Sequence, residues 1–158
     1  MPGFHPAFTL LAVITIASGC AIEDRSPEGS RRDEEAIRTV VADYYSGIST
    51  RSWDATRIHF WDSALVQVRT TPGAGWRGFQ GPDAYGDWLA SRPGADVEIR
   101  PLRVDARQEG DFAAAWVETR RGTGDARART PADHFVLRRI DGAWRITALA
   151  AVMLEGGN

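Results

Sequence analysis

The chain of 158 residues has a single cysteine, Cys20, so no disulfide can close within it and any folded part must stand on its apolar core. It has no lysine at all: its 19 basic residues are arginines, set against 21 acidic residues for a net charge of −2. The two signs are finely mixed, which gives no whole-chain bias toward a polyanion, and no nucleic-acid partner is expected. Histidine is scarce, at positions 5, 59 and 134 only. Three scattered imidazoles offer no metal-ligand spacing, and neither a metal nor another cofactor is expected. The glycine-rich pieces near Gly73 and Gly122 lack both the lysine and the strand–loop–helix setting of a phosphate loop. Long apolar runs are confined to one place, residues 7–19, whose core Phe8–Ile16 falls short of the roughly 20 apolar residues that span a bilayer as a helix.

That run ends in Ala17, Ser18 and Gly19 immediately before Cys20. An uncharged apolar core followed by small residues and a cysteine resembles a bacterial lipoprotein signal, although Met1 to Pro6 carry no arginine or lysine, only His5. The resemblance implies a signal peptide over 1–19, acylation of Cys20, membrane attachment, and a lipid-anchored position in a bacterial cell envelope. With an ordinary signal the product would be secreted or periplasmic. Acylation would also remove a free thiol that an oxidising compartment makes a liability. Residues 20–32, polar with Pro27 and Gly29, read as a flexible tether, leaving 33–154 as one domain.

Within that domain Ser30 and Asp33 resemble a capping box. Ile37, Val40, Val41, Tyr44 and Ile48 then recur at helical spacing and predict a helix over about 33–49. A short helix is expected over 52–60 with Ser52 as N-cap, strands over 64–70 and 76–80, and a third helix opened by Gly81-Pro82-Asp83 and running to Ser91. From residue 97 the pattern becomes that of antiparallel strands, over 97–107, 112–121, 133–140 and 143–153, with Asp141-Gly142 a strong two-residue hairpin turn. Helices first and a long meander afterwards make an α+β domain.

This layout resembles the nuclear transport factor 2-like superfamily, including its SnoaL-like and ketosteroid-isomerase-like members. The resemblance is carried by Glu34-Glu35-Ala36-Ile37, by Phe60-Trp61-Asp62-Ser63-Ala64-Leu65-Val66, by Gly81-Pro82-Asp83-Ala84-Tyr85 and by Asp141-Gly142-Ala143-Trp144-Arg145-Ile146. It implies a cone-shaped α+β barrel, helices in the concave face of a curved sheet, an apolar pocket, and frequent pairing as a homodimer through the sheet. None of those segments is a catalytic motif. The resemblance further implies a polar group facing the pocket at position 150, where this chain has Ala150.

If Asp141 and Gly142 are the turn, Arg139 faces Trp144, Leu137 faces Ile146, Phe135 faces Ala148 and Asp133 faces Ala150. Phe135, Leu137, Trp144, Ile146, Ala148 and Ala150 then share the face toward the helices, while His134, Val136, Arg138, Arg145, Thr147 and Leu149 share the other. Candidates to line the pocket are Tyr44, Trp61, Tyr85, Trp88, Phe135, Ala148 and Ala150, and the small Ala113 and Ala115 leave further room. Asp133 falls on the inner face, either as a general base or as a satisfier of loop backbone groups. Six arginines between 120 and 139 (120, 121, 127, 129, 138 and 139) read as a solvated hairpin end.

Three functions are open at this point. The first is binding of a small apolar or amphipathic ligand, or of a protein partner, without catalysis. The second is a cofactor-free isomerase, dehydratase or hydrolase with Asp133 as base and Tyr44 or Tyr45 as donor. The third is a structural dimer built on Trp116, Val136 and Leu149.

Overall fold

A 23-residue helix α1 (Pro27–Ser49) leads into the short α2 (Trp53–Arg57), and α3 (Pro82–Ser91) follows two strands. The computed structural model describes residues 27–70, 73, 75–92, 98–122 and 128–153; the expected signal peptide, Cys20 and the first part of the tether lie outside them. The strands are β1 (Phe60–Arg69), β2 (Arg77–Gln80), β3 (Glu98–Glu109), β4 (Phe112–Gly122), β5 (Ala128–Ile140) and β6 (Ala143–Val152). They form one curved six-stranded sheet of order β2-β1-β6-β5-β4-β3, antiparallel except where β1 runs beside β6. The helices pack in its concave face, and the fold is α+β as expected. Among the described residues, no helix is long and apolar enough to cross a membrane.

Ile37, Val41, Tyr44 and Tyr45 of α1 are buried against Val66, Val117, Phe135, Leu137 and Ile146 of the sheet, with Tyr85 of α3 closing the side. Fully burying each large apolar side chain of this kind contributes about 1.5–3 kcal/mol. Two of the positions that need glycine place α3. A Cβ on Gly86 would stand 1.9 Å from the Trp53 indole nitrogen, so α3 can lie against α2 only with glycine there. Gly81, at φ +83°, turns the chain into α3 beneath the Asp62 carbonyl.

Four expectations need correcting. α1 starts six residues before Asp33, so residues 27–32 are helix and not tether: Pro27 fits the first turn, where an absent N–H costs nothing, and Glu28 meets the positive end of the helix dipole. Ser30 therefore lies inside the helix and caps nothing. α2 stops at Arg57, and Ser52 makes no side-chain cap bond. β5 starts at Ala128 rather than 133. It tolerates Pro131 because the ladder with β4 slips there, Val117 facing Asp133 but Thr119 facing Thr130.

The last correction has the widest consequence. The β5–β6 pairing is as expected from Ile140↔Ala143 to Leu137↔Ile146, and then shifts by one, so that Val136 faces Ala148 and Phe135 faces Leu149. Thr147 is the extra residue of a β-bulge, and a one-residue shift turns every following side chain to the other face. Leu149, expected outside, is 2% exposed in the core, with Ala151 beside it. Ala148 and Ala150, expected to line the pocket, lie on the outer face opposite Val136 and His134.

Candidate functional site

The inner face brings together the three tyrosines of the chain with a buried carboxylate and a buried guanidinium. Tyr44 and Tyr45 both point inward because α1 lies within the curve of the sheet, which surrounds more than one stripe of the helix. Tyr85 comes from α3, Thr119 and Arg121 from β4, Asp133 and Phe135 from β5, Val152 from the end of β6, and Met153 follows it. The Tyr44 ring lies 5.0 Å from the Tyr45 ring and 5.3 Å from Phe135, both edge to face.

Two hydrogen-bonded chains run through this cluster. The Tyr44 and Tyr85 hydroxyls are hydrogen-bonded to each other at 2.8 Å, and the Tyr85 hydroxyl also lies 3.7 Å from the Met153 sulfur. In the second chain Asp133 is the hub. Its Oδ2 accepts from the Tyr45 hydroxyl at 2.8 Å and from Arg121 Nη2 at 2.6 Å, and its Oδ1 accepts from the Val152 amide at 2.9 Å. Arg121 Nε donates to Thr119 Oγ1 at 3.2 Å. Asp133 is fully buried and Arg121 nearly so.

The electrostatics follow from that burial. Desolvation pushes the Asp133 carboxyl up from the ordinary carboxylate range, opposed by the Arg121 guanidinium, the Val152 amide and the Tyr45 hydroxyl. Desolvation also pushes all three phenols well up, and the Asp133 charge adds to it, so each tyrosine is a neutral hydrogen-bond donor at physiological pH. A fully buried carboxylate with three donors on two oxygens is a stitch joining α1, β4, β5 and β6. A general base must instead reach a substrate proton.

Of the sequence candidates, Tyr44, Tyr85 and Phe135 meet in this cluster, and half-buried Trp88 packs on Phe79 and Tyr85 at ring separations of 5.1 and 6.0 Å. Trp61 does not join them. Between Phe60↔Ile146 and Leu65↔Ala148 the β1–β6 ladder skips three residues of β1, so Phe60 takes the core position and Trp61 is 42% exposed. Ala148 and Ala150 face outward, as described. Asp133 satisfies a backbone amide, but of β6 and not of its own loop. Arg121 is the functional group missed: the alternation Ala113, Ala115, Val117, Thr119, Arg121 along β4 carries it to the inner face, away from the solvated end expected for it. Arg139 is also engaged, to Asp33 at 2.6 Å and Asp111 at 3.3 Å. His134 is exposed on the outer face, where alternation put it. Among the described residues there is no group of three side chains able to hold a metal ion.

Helices in the concave face of this six-stranded sheet define the nuclear transport factor 2-like class of fold. Residues 37–151 match the model of the SnoaL-like domain, and the chain belongs to that family. Solved structures agree on the fold. An NTF2-like protein of unknown function from Pseudomonas putida KT2440 is 18% identical, with 77% of this chain and 86% of that one covered and a TM-score of 0.64. The association domain of CaMKII from C. elegans is 13% identical over 78% and 97% at 0.63, and a putative ketosteroid isomerase from Kribbella flavida DSM 17836 is 17% identical over 80% and 83% at 0.53. A search of curated proteins finds no match.

Proposed function

We propose that this protein is a non-catalytic binding and assembly module, held at a bacterial envelope membrane through acylated Cys20, whose working surface is the outer face of the sheet. The observation that carries this reading is the commitment of the interior: both oxygens of Asp133 are taken by Arg121, Tyr45 and Val152, and Tyr44 is spent on Tyr85. The outer face is the opposite. Leu65, Ala148, Val136 and Ala114 face one another in register across β1, β6, β5 and β4 and form a continuous apolar row. Trp116 lies beside it, packed edge-on to His134 at 6.1 Å, and Leu65, Val136 and Trp116 are each more than a third exposed. An exposed apolar strip of this kind marks a recognition surface.

The occupant we assign to it is a second copy of the chain, an isologous pairing that the likeness to an association domain supports. Leu149 plays no part, because the bulge turns it inward. Native mass spectrometry of the gently purified full chain in detergent tests the reading. It should give a dimer with no retained small molecule. A monomer carrying a bound apolar compound would replace it with ligand carriage inside the cone.

A second reading rests on the meeting of tyrosines and a carboxyl whose affinity for protons is raised: a cofactor-free isomerase, dehydratase or hydrolase with Asp133 as base. It requires Asp133 to exchange Arg121 or Tyr45 for substrate. Turnover of a ketosteroid or a related enolisable ketone, lost in Asp133→Asn, would establish it.

A further inference from the structure

We infer that the end of the domain carrying the β5–β6 and β3–β4 turns faces the bilayer and that the β1–β2 end points away from it; this rests on the reading of Cys20 as an acylated anchor. The start of α1 is fastened to that first end. Asp33 accepts from Arg139 at 2.6 Å and from the Trp144 indole at 3.4 Å, and the Arg139 amide donates to the Asp111 carbonyl at 2.8 Å in the neighbouring turn. Arg139 and Trp144 flank the Asp141-Gly142 turn, and Asp111 follows Gly110. The other end of α1 lies at the far end of the sheet. Ser49 Oγ accepts from the Ile99 amide at 3.0 Å, and Ile99 faces Arg121 where β3 begins and β4 finishes. The β1–β2 connection is at that far end too, since Arg69 faces Val152, the last residue of β6.

Length then decides the orientation. Residues 21–26 alone separate Cys20 from α1, and an extended chain covers at most about 25 Å over the seven steps from Cys20 to Pro27. From Pro27 to Ser49 the helix extends about 33 Å. An inverted domain, its far end on the lipid, would lift Pro27 farther from the bilayer than the chain can follow. The upright domain has no such conflict. Its strands run between the two ends, so the apolar row, which crosses four of them, lies level with the membrane surface and stays open to a neighbour anchored in the same leaflet.

The experiment uses the full-length protein in vesicles containing a headgroup-labelled acceptor lipid. A fluorescent donor is placed by thiol labelling at Glu109→Cys, an exposed position at the turn end, or at Gly75→Cys, where a side chain meets open space near the β1–β2 connection. Energy transfer severalfold stronger from E109C than from G75C is the expected result. Equal transfer, or stronger transfer from G75C, would overturn the orientation. The unsubstituted protein separates the two readings: an acylated Cys20 takes up no thiol label. If it is labelled and fails to sediment with vesicles, the anchor itself is refuted and the orientation falls with it.

Discussion

The two faces of the sheet divide polar and apolar groups in opposite ways. The concave face, which ought to be the apolar one, holds three phenols, a guanidinium and a carboxylate, each with a partner. The convex face, which ought to be the polar one, carries an apolar row four strands wide. A buried ion pair without its hydrogen bonds costs more in desolvation than it returns in attraction, so an inner cluster survives only when every member is satisfied. Satisfaction of that kind is what supports the proposed non-catalytic role. Apolar residues outside carry no such condition, and their exposure is what a partner would relieve.

The largest expected effect breaks the inner face. Asp133→Ala leaves the Arg121 charge buried and alone, and should lower unfolding free energy by about 3–5 kcal/mol in a denaturant titration. Replacing both members, Arg121→Met with Asp133→Leu, should recover much of that loss, which separates a structural pair from a group needed in its own right. Next comes Gly86→Ala, whose new methyl collides with the Trp53 indole; the displaced packing should cost about 1–3 kcal/mol, seen as a lower Tm.

On the outer face the expectation reverses. Val136→Glu sits in the middle of the apolar row and should change stability by no more than about 0.5 kcal/mol, yet reduce the proposed dimer to monomer in sedimentation velocity. A variant that unfolds, or one that still pairs, would erase the contrast between the faces. The smallest effect is one of pH. Because burial raises the folded value for Asp133, the native state holds that proton more tightly than the unfolded chain. Its contribution is full below the ordinary carboxylate value and declines as pH rises through the raised one. Denaturant midpoints measured across that acidic window should show the slope in the native sequence and lack it in Asp133→Asn.

Much of this arrangement is legible in the sequence, and the parts that are not have definite causes. The Asp141-Gly142 turn, at φ 50° and 77°, sets the β5–β6 register as far as Ile146, because a two-residue turn leaves the pairing no freedom. Thr147 carries no local mark of a bulge, and the single extra residue is enough to exchange Leu149 with its neighbours Ala148 and Ala150. Asp133 is nonetheless placed on the correct face, since its orientation follows from alternation along β5 and not from pairing with β6. Arg121 is hidden by its neighbours: a segment crowded with arginines reads as solvated, whereas its own odd-numbered stripe on β4 assigns it inward. The start of α1 is hidden by Ser30 and Asp33, which imitate a cap inside a helix that Pro27 opens.

The central claim is that the inner polar cluster is sealed, and the chain offers a direct probe of it. It contains three tyrosines, and Tyr44, Tyr45 and Tyr85 are all in the cluster. Tyrosinate absorbance therefore reports the site with no background from elsewhere. A sealed cluster predicts no ionisation while the protein stays folded through pH values around 10, where an exposed phenol titrates, and the appearance of all three tyrosinates together on alkaline unfolding. Reversible titration of even one tyrosine near that ordinary value in the folded protein would mean that solvent, and with it a substrate, reaches the cluster.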